Sequence, residues 1–288
     1  MRVANINGRL AVKAGDGFLD VAIASEGAFD PDPHEAYARW DELLAWSEQV
    51  PALPTALTAK ARVDRDGAVW GAPSPRPAQV FAVGLNYRDH IAESKLAEPA
   101  EPAVFTKFPS SLTGHGRPVA LPDGLVDWEA ELVVVIGRHC HRATRETAWS
   151  HVAGLTVGQD LSERRLQLTG PAPQFSLGKS YPGFAPLGPE VVSPDEFTDP
   201  DDLELGCRLE AGEILQCGRT SKMVFDVPEL ITRLSAVCPL LPGDLIFTGT
   251  PAGVGGARDP QRFLSPGDVL VTWVEHVGSL RTPLIASN

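Results

Sequence analysis

Cysteine is scarce in this sequence, and none of the four cysteines belongs to a recognisable metal or redox motif. They are Cys140, Cys207, Cys217 and Cys238, without a C-x-x-C pair and without a Cys/His cluster at zinc spacing. This excludes a structural zinc finger and a thioredoxin-like redox site. We therefore expect buried, reduced thiols, and a Cys207–Cys217 disulfide is disfavoured in a cytosolic protein.

The sequence also lacks any apolar run long enough to span a bilayer, and its first residues lack the apolar core of a signal peptide. We expect a cytoplasmic protein with no membrane partner. Basic residues are in the minority, because 25 Lys and Arg face 37 Asp and Glu, for a net charge of −12. This charge argues against nucleic acid as a partner. A small anionic substrate remains possible if local cations or a metal reverse the field.

Proline marks a boundary in the first third of the chain, in the segment Pro73-Ser-Pro-Arg-Pro77. Before it, Asn7-Gly8 predicts a tight turn between two strands, and apolar residues at helical spacing predict a helix over residues 33–49. We predict a small N-terminal α/β domain over residues 1–74. Residues 75–288 then form the working domain.

Residues 126–137 predict a strand that carries two acidic side chains into a buried apolar run. Side chains alternate along a strand, so Glu129 and Glu131 share a face with Val133. Two adjacent buried carboxylates repel each other unless something positive lies between them, and a divalent metal is the simplest candidate. A solvent-facing edge with two charges explains the pattern equally well, and this strand alone does not decide between the two.

A short helix after residues 79–85 carries His90 and Glu93, which lie three residues apart and share a helix face. A carboxylate beside an imidazole can orient the ring and raise its basicity, which suits a general base acting on water. The alternative is an ordinary surface pair, which is the better interpretation for an isolated His/Glu pair.

Asp160 falls just beyond a predicted strand, at a place where side chains often face a pocket. If a helix starts there, Arg164 and Gln167 share its face, and they offer a fork for a carboxylate and an amide for a carbonyl or water. The alternative is a capped helix with a solvated arginine. Lys179 stands alone between apolar and small residues, and near a metal site it would bind an anionic oxygen as a point charge.

Residues 248–256 are rich in glycine, but no Lys-Ser/Thr pair follows and Pro251 interrupts them. The segment is therefore neither a P-loop nor a dinucleotide fingerprint. Its backbone amides and Thr250 could still hold an oxyanion or a carboxylate.

Several motifs in a fixed order now identify a family resemblance. They are Asn86-Tyr-Arg-Asp-His90 with Glu93, Asp127-Trp-Glu129-Ala-Glu131-Leu, Gln159-Asp160-Leu-Ser-Glu-Arg164, Gly178-Lys179-Ser180, Pro186-Leu-Gly-Pro189, Pro242-Gly-Asp244, Thr248-Gly-Thr-Pro-Ala-Gly-Val-Gly255 and Pro266-Gly-Asp268. Together they make residues 79–285 similar to the fumarylacetoacetate hydrolase superfamily. Each motif alone is weak, and the combination carries the resemblance.

The resemblance implies an α+β fold of mainly mixed β sheets, with a β-roll or sandwich catalytic domain that usually forms a homodimer. It also implies one Mg²⁺ or Mn²⁺ ion and a set of site residues. The metal-ligand positions of the family correspond to Glu129, Glu131 and Asp160, and the water-activating pair of a mobile lid helix corresponds to His90 and Glu93. The substrate-contacting positions correspond to Arg164, Gln167 and Lys179, and a loop facing the site contains Thr250. In our assignment Lys179 is grouped with the catalytic pair.

Two segments depart from the family pattern. Gln159 stands where many relatives have Asn, which changes a hydrogen bond behind the metal ligands. Tyr181-Pro-Gly-Phe184 replaces a Phe-Asp-Thr-Phe-like run after the lysine.

The predicted activity follows from this site. A 2-oxo acid would bind a metal that acts as a Lewis acid and stabilises the enolate formed when a neighbouring bond breaks. Because His90 and Glu93 are both present, we favour hydrolysis of a C–C bond in a 2,4-dioxo acid, an acylpyruvate or fumarylacetoacetate-like compound of aromatic catabolism. Decarboxylation of a 2-oxo acid such as oxaloacetate, isomerisation of a 2-hydroxy-dienoate and a non-catalytic binding protein on the same fold are the alternatives.

Overall fold

Strands dominate the computed structural model, which describes residues 1–95, 97–210 and 212–287. In these ranges the strands are, in chain order, β1 (Arg2–Ile6), β2 (Arg9–Ala14), β3 (Gly17–Asp20), β4 (Trp70–Gly71), β5 (Val80–Gly84), β6 (Ala103–Thr106), β7 (Leu112–Thr113), β8 (Val119–Leu121), β9 (Val126–Asp127), β10 (Ala130–Ile136), β11 (Val152–Gln159), β12 (Ser162–Glu163), β13 (Ala185–Val192), β14 (Glu204–Leu209), β15 (Ile214–Arg219), β16 (Leu245–Phe247), β17 (Val269–Val274) and β18 (Gly278–Ala286).

The helices are short. In the same ranges they are α1 (Val21–Ala24), α2 (Glu35–Ala38), α3 (Trp40–Ser47), α4 (Thr55–Ala61), α5 (Arg88–Ser94), α6 (Arg164–Gln167), α7 (Phe175–Gly178) and α8 (Val227–Val237). The single helix predicted over residues 33–49 is therefore wrong. Arg39 leaves the helical conformation with φ −127°, and its guanidinium donates to the Ala28 carbonyl at 2.7 Å, a distant contact that local periodicity does not encode.

One large sheet contains strands from both ends of the chain. Its order is β3-β2-β1-β13-β11-β10-β16-β5-β6, with β4 paired to β1 and β7 paired to β13. Most neighbours are antiparallel, whereas β16 with β5 and β7 with β13 are parallel. A five-stranded sheet ordered β15-β14-β17-β18-β8 packs against β10, β11 and β13. The predicted α+β fold with mixed β sheets is confirmed.

The N-terminal segment shares both sheet and core with the rest of the chain. β1 pairs antiparallel with β13, so that Val3 lies opposite Val191. One hydrophobic cluster joins Leu43 of α3 to Val133 of β10 and Phe247 of β16. The sheet and this cluster cross the boundary predicted between residues 74 and 75, and the division into two domains stays a prediction.

Strand β10 is buried on both faces. Val133 and Val135 belong to the cluster that includes the N-terminal helices, whereas Leu132, Val134 and Ile136 belong to a second cluster with α8. All seven residues of β10 are buried. Charged side chains at the start of this strand must therefore find their partners inside the protein.

The four cysteines are free. Cys140 and Cys207 are buried, as expected, but Cys217 is exposed and Cys238 is half-buried. The expected burial is wrong for Cys217 because this residue lies on β15, the edge strand of the five-stranded sheet. In the described ranges, no helix combines the length and apolar character that crossing a bilayer requires.

Candidate metal centre and active site

The pairing of β10 with β11 brings three acidic side chains together. Ala130 lies opposite Gln159 in an antiparallel register, so Glu129, just before β10, meets Asp160, just after β11. The Asp160 amide donates to the Glu129 carbonyl at 2.9 Å. Glu131 enters from β10 itself, and the three side chains can each place an oxygen within 4.8 Å of the others. The strand predicted over residues 126–137 is interrupted before β10, but the predicted convergence of the two glutamates is present.

The three carboxylates are shielded from water, since Glu129 is 8%, Glu131 1% and Asp160 0% exposed. Burial, together with the charges of Asp160 and Glu129, raises the pKa of Glu131 well above its usual range. One oxygen of Glu131 accepts the Gly249 amide at 2.8 Å. Of the three acids, Glu131 lacks a direct ion pair with a cation among the described residues.

Lys179 follows α7 and lies directly against this cluster. Its Nζ donates to Glu129 Oε2 at 2.9 Å, Asp160 Oδ2 at 2.7 Å and Ser162 Oγ at 2.7 Å. Burial alone lowers the pKa of Lys179, but the charges of Asp160 and Glu129 outweigh burial and raise it. Lys179 therefore lies where the sequence predicted, although its three N–H groups are already bonded within the protein. Its predicted contact with the substrate stays a prediction.

Lys107 is a second buried lysine at the same cluster, and the sequence did not indicate its role. Lys107, just after β6, is 0% exposed, and its Nζ donates to Asp160 Oδ1 and to the Lys179 carbonyl. Burial lowers the pKa of Lys107, and the charge of Asp160 opposes this shift. The available signal was a lone lysine in an apolar extended segment. Its partner lies 53 residues away in the chain, which local sequence does not reveal.

Arg164 opens α6 and is held by two carboxylates. Its guanidinium donates to Asp127 Oδ2 at 3.0 and 2.8 Å, pairs with Glu129 Oε1 at 2.8 Å and reaches Gln167 Oε1 at 2.9 Å. The helix expected from Asp160 starts only at Arg164, but Arg164 and Gln167 do share a face. The guanidinium fork that we expected to receive a substrate carboxylate is thus occupied by protein acids. Substrate contacts by Arg164 and Gln167 stay predictions.

Two cations, Lys179 and Arg164, balance the charge of Glu129. Burial raises the pKa of Glu129, but Lys179 and Arg164 outweigh burial and lower it to about 2. Glu129 is therefore a permanent anion, with one oxygen on each cation.

Asp127 is a second residue whose role the sequence did not indicate. Beyond its ion pair with Arg164, it accepts the Gly255 amide at 2.6 Å and the Gly256 amide at 2.8 Å. A side chain at Gly255 would meet the Arg262 carbonyl at 2.0 Å, so this close approach requires glycine. Asp127, on β9 and two residues before Glu129, thereby ties the glycine-rich loop to the segment that leads into the metal-ligand candidates.

Thr250 lies in the same loop and lines the cavity described below. Its hydroxyl donates to the Ala130 carbonyl at 2.9 Å and accepts from Gln216 Nε2 at 2.8 Å. The hydroxyl thus fixes the loop to the start of β10. Its predicted contact with substrate stays a prediction.

His90 and Glu93 form a direct pair on α5. His90 Nδ1 lies 2.7 Å from Glu93 Oε1, and Glu93 Oε2 accepts the Gly253 amide at 2.9 Å. Both carboxylate oxygens are thus held, which fixes the imidazole ring. Because Nδ1 is engaged, Nε2 is the ring nitrogen left to exchange a proton. The surface-pair alternative is not supported, since the two side chains are only 12% and 23% exposed.

A single cavity of about 760 Å³ brings most of the predicted site residues together. Its lining includes His90, Glu93, Glu129, Arg164, Gln167, Lys179 and Thr250. Glu131 and Asp160 are buried behind Glu129 and do not line it. The Glu129 carboxylate and the His90 imidazole both line the cavity, so they can act together on a small molecule placed between them.

The buried cluster of Glu129, Glu131 and Asp160 fits a hard divalent cation. Three carboxylates supply oxygen ligands, which Mg²⁺ and Mn²⁺ prefer. Burial and the charges of Asp160 and Glu129 raise the pKa of Glu131, and a cation bound among the three carboxylates would offset this repulsion.

Comparison with known proteins places the chain in a family. The model of the fumarylacetoacetate (FAA) hydrolase C-terminal domain matches residues 79–285. The chain belongs to the fumarylacetoacetate hydrolase family. Oxaloacetate tautomerase FAHD2A of Bos taurus, whose name includes mitochondrial, is 41% identical over 236 residues, covering 81% of this chain and 72% of that protein. The 2,4-didehydro-3-deoxy-L-rhamnonate hydrolase of Sphingomonas sp. strain SKA58 is 42% identical over 215 residues, covering 74% and 75%.

Solved structures of the fumarylacetoacetate hydrolase family agree with this assignment. A crystal structure from Mycobacterium smegmatis is 52% identical with a TM-score of 0.93, and it covers 100% of both chains. Maleylpyruvate hydrolase from Sphingobium sp. SYK-6, in complex with manganese(II) and pyruvate, is 27% identical with a TM-score of 0.80 and the same coverage. Since relatives of this chain include a named tautomerase and two named hydrolases, this member of the family is an enzyme, and the binding-protein alternative is not supported.

The two departures from the family pattern have structural counterparts. Gln159 Oε1 accepts the Glu129 amide at 3.0 Å, and its Nε2 donates to Thr272 at 2.9 Å, so its side chain does bond behind the carboxylate cluster. Tyr181 and Phe184 pack against each other with ring centroids 5.0 Å apart. Neither aromatic residue lines the cavity.

Proposed function

We propose that the protein is a divalent-metal-dependent hydrolase that cleaves a C–C bond of a 2,4-dioxo acid. The observation that supports this most is the fixed His90–Glu93 pair, which lines the same cavity as Glu129. Hydrolysis needs a general base for water, and a held imidazole with a free Nε2 supplies one.

Glu129, Glu131 and Asp160 would hold the cation, which is Mg²⁺ or Mn²⁺. When bound, the cation supplies Lewis-acid stabilisation of the negative charge that develops on the 2-oxo group. The manganese(II) and pyruvate in the maleylpyruvate hydrolase structure support this assignment, because pyruvate is the 2-oxo acid fragment that such a cleavage releases.

His90 would take a proton from water at Nε2 while Glu93 holds Nδ1 and stabilises the resulting imidazolium. The water oxygen bonds to C4 of the substrate, and the C3–C4 bond breaks. Its electron pair goes to C3, which then recovers the proton from His90. One water and one 2,4-dioxo acid thus give a carboxylic acid and a 2-oxo acid.

Lys179 and Arg164 place two positive charges in the cavity wall beside Glu129, and we propose that they attract the carboxylate of the substrate. Gln167 and Thr250 offer polar groups at the same wall. An isomerase or decarboxylase would use the same wall, so these residues support a 2-oxo acid substrate more than one reaction.

Tautomerisation of oxaloacetate is the second candidate, and it is supported by the 41% identity to a protein named as an oxaloacetate tautomerase. It requires only the proton-transfer half of the mechanism, in which His90 moves a proton between C3 and the enol oxygen. Homodimer formation, a cytoplasmic location and a role in aromatic catabolism also stay predictions.

The test is a panel of acylpyruvates, oxaloacetate and 2-hydroxy-dienoates, assayed with Mg²⁺, with Mn²⁺ and with EDTA. We expect metal-dependent release of pyruvate from acylpyruvates, and a fall in kcat of about 10²-fold or more in His90→Gln. Metal-bound His90→Ala that keeps full hydrolase activity would refute the role of His90. Interconversion of oxaloacetate tautomers without cleavage of any 2,4-dioxo acid would favour the second candidate.

A further inference from the structure

Beyond the carboxylate wall, the cavity is lined mainly by apolar side chains. They include Phe105, Leu125, Leu168, Phe175, Val254 and Phe263. None of them has a chemical role in the proposed reaction, so this half of the cavity is available for the part of the substrate that does not react.

Two of these rings lead outward from the reaction centre. Lys179 Nζ lies 5.1 Å from the centre of the Phe105 ring, and the Phe105 and Phe175 rings meet edge-on with centroids 5.6 Å apart. Gly84 also lines the cavity and lies against both rings, since a Cβ there would be in ordinary contact with Phe175 at 3.6 Å and Phe105 at 3.8 Å. A substrate anchored near Lys179 would thus extend along an aromatic wall.

The charges of the cavity lining do not favour an anion at this end. Arg164 and Lys179 are paired with Asp127, Glu129 and Asp160, and the proposed function assigns their remaining attraction to the reacting carboxylate of the substrate, so neither is left for a second carboxylate. The other lining cations among the described residues, Lys95 and Arg165, are exposed at the surface. Ionic contacts there are screened by water and salt, so they select weakly.

The volume of the cavity also favours a substrate with an extended apolar arm. Ligand pockets of about 300–1,000 Å³ usually bury most of a ligand considerably larger than a four-carbon acid. With a volume of about 760 Å³, this cavity leaves apolar space unfilled around oxaloacetate or acetylpyruvate. Filling that space removes both substrate and protein apolar surface from water.

We propose, on the basis of the proposed function, that the acyl group of the preferred substrate is uncharged and apolar, an alkyl chain or an aromatic ring. The wall formed by Phe105 and Phe175 binds this group. The class of substrate is therefore a 2,4-dioxo monocarboxylic acid with an extended hydrophobic arm. A diacid whose arm ends in a second carboxylate is disfavoured.

The experiment compares kcat/KM for 2,4-dioxo acids that differ only in the acyl arm: methyl, n-pentyl, phenyl and carboxyethyl. Each buried methylene is worth about fourfold, so burying only two of the four methylenes that n-pentyl adds to methyl already gives more than about tenfold. We expect n-pentyl and phenyl to exceed methyl by about tenfold or more, and carboxyethyl to fall below n-pentyl. Equal values across the series, or a preference for carboxyethyl, would overturn the inference.

Two variants test whether the aromatic wall causes the preference for a long apolar arm. Phe175→Ala should lower kcat/KM for the phenyl arm about tenfold more than for the methyl arm, because the lost ring contacts only a long arm. Phe108→Ala is the matched control, since Phe108 is 43% exposed and does not line the cavity. The same loss of preference in Phe108→Ala would contradict the assignment to the aromatic wall.

A binding measurement separates this inference from the proposed reaction. Thermal stabilisation by the four acids is recorded in the presence of Mg²⁺, with and without the Phe175→Ala substitution. If no acid is cleaved, the proposed function fails, but a larger stabilisation by phenyl and n-pentyl than by carboxyethyl still supports the apolar arm. Cleavage without any ranking of the arms in either measurement refutes the inference alone.

Discussion

Lys107 provides a direct test of the charge balance that we describe around the carboxylates. The substitution Lys107→Met keeps most of the side-chain volume and removes the ammonium group. In the native structure this group donates to Asp160 Oδ1 and to the Lys179 carbonyl in a fully buried position. The variant therefore leaves a buried carboxylate oxygen and a buried carbonyl oxygen without a donor.

The expected cost follows from these two contacts. A hydrogen bond to a charged group contributes about 1.5–3 kcal/mol and a neutral one about 1 kcal/mol. Removing one partner of a buried pair costs about 3–5 kcal/mol in total. Part of this is recovered, because burying the ammonium is itself unfavourable, as the lowered pKa of Lys107 indicates. We expect a net loss of about 3 kcal/mol, which corresponds to a fall in Tm of about 6–12 °C.

The assay is thermal and urea unfolding followed by circular dichroism, in EDTA so that no bound cation compensates Asp160. Lys222→Met is the matched control, because Lys222 is exposed, and its effect should stay within about 0.5 kcal/mol. If Lys107→Met unfolds at the same temperature and urea concentration as Lys222→Met, the buried lysine does not stabilise the cluster and our account of it is wrong.

Three further predictions test other parts of the structure. Glu93→Gln should lower kcat by about 10²-fold, because the imidazolium of His90 loses its counter-charge. The Kd for Mn²⁺, measured by calorimetry, should stay unchanged, and weaker Mn²⁺ binding would contradict this role of Glu93. Asp226→Ala should cost about 1 kcal/mol in urea unfolding, because Asp226 caps α8. Burial raises the pKa of Asp226, but its bond to Arg145, the Glu229 amide and the charge of Arg145 together outweigh burial and lower it. The loss of stability should therefore be full above about pH 4 and shrink as the pH falls further; a loss independent of pH would contradict this. Gly249→Ala should lower the free energy of unfolding by about 1–3 kcal/mol, because φ is +96° and the new Cβ would lie 2.8 Å from Asn86. An unchanged free energy of unfolding would contradict the expected strain.

The sequence by itself determined the family and the candidate metal ligands. Alternation along a strand places Glu129 and Glu131 on one face, and helical spacing places His90 beside Glu93. These relations hold because backbone geometry fixes side-chain direction over a few residues. The ordered motifs then indicated the family and the mixed β fold, which the comparisons and the sheet topology confirm.

Only the tertiary structure decided how the site is neutralised. Asp160 joins Glu129 through the register of β10 with β11. Lys107, which follows the edge strand β6, reaches Asp160 at the end of the interior strand β11. Sequence spacing did not reveal that Arg164 would bind protein acids, because its partner Asp127 lies 37 residues away. Such contacts depend on which strands pair and in which register. Hydrophobic burial and strand pairing set that arrangement for the whole chain at once, and no local pattern records it.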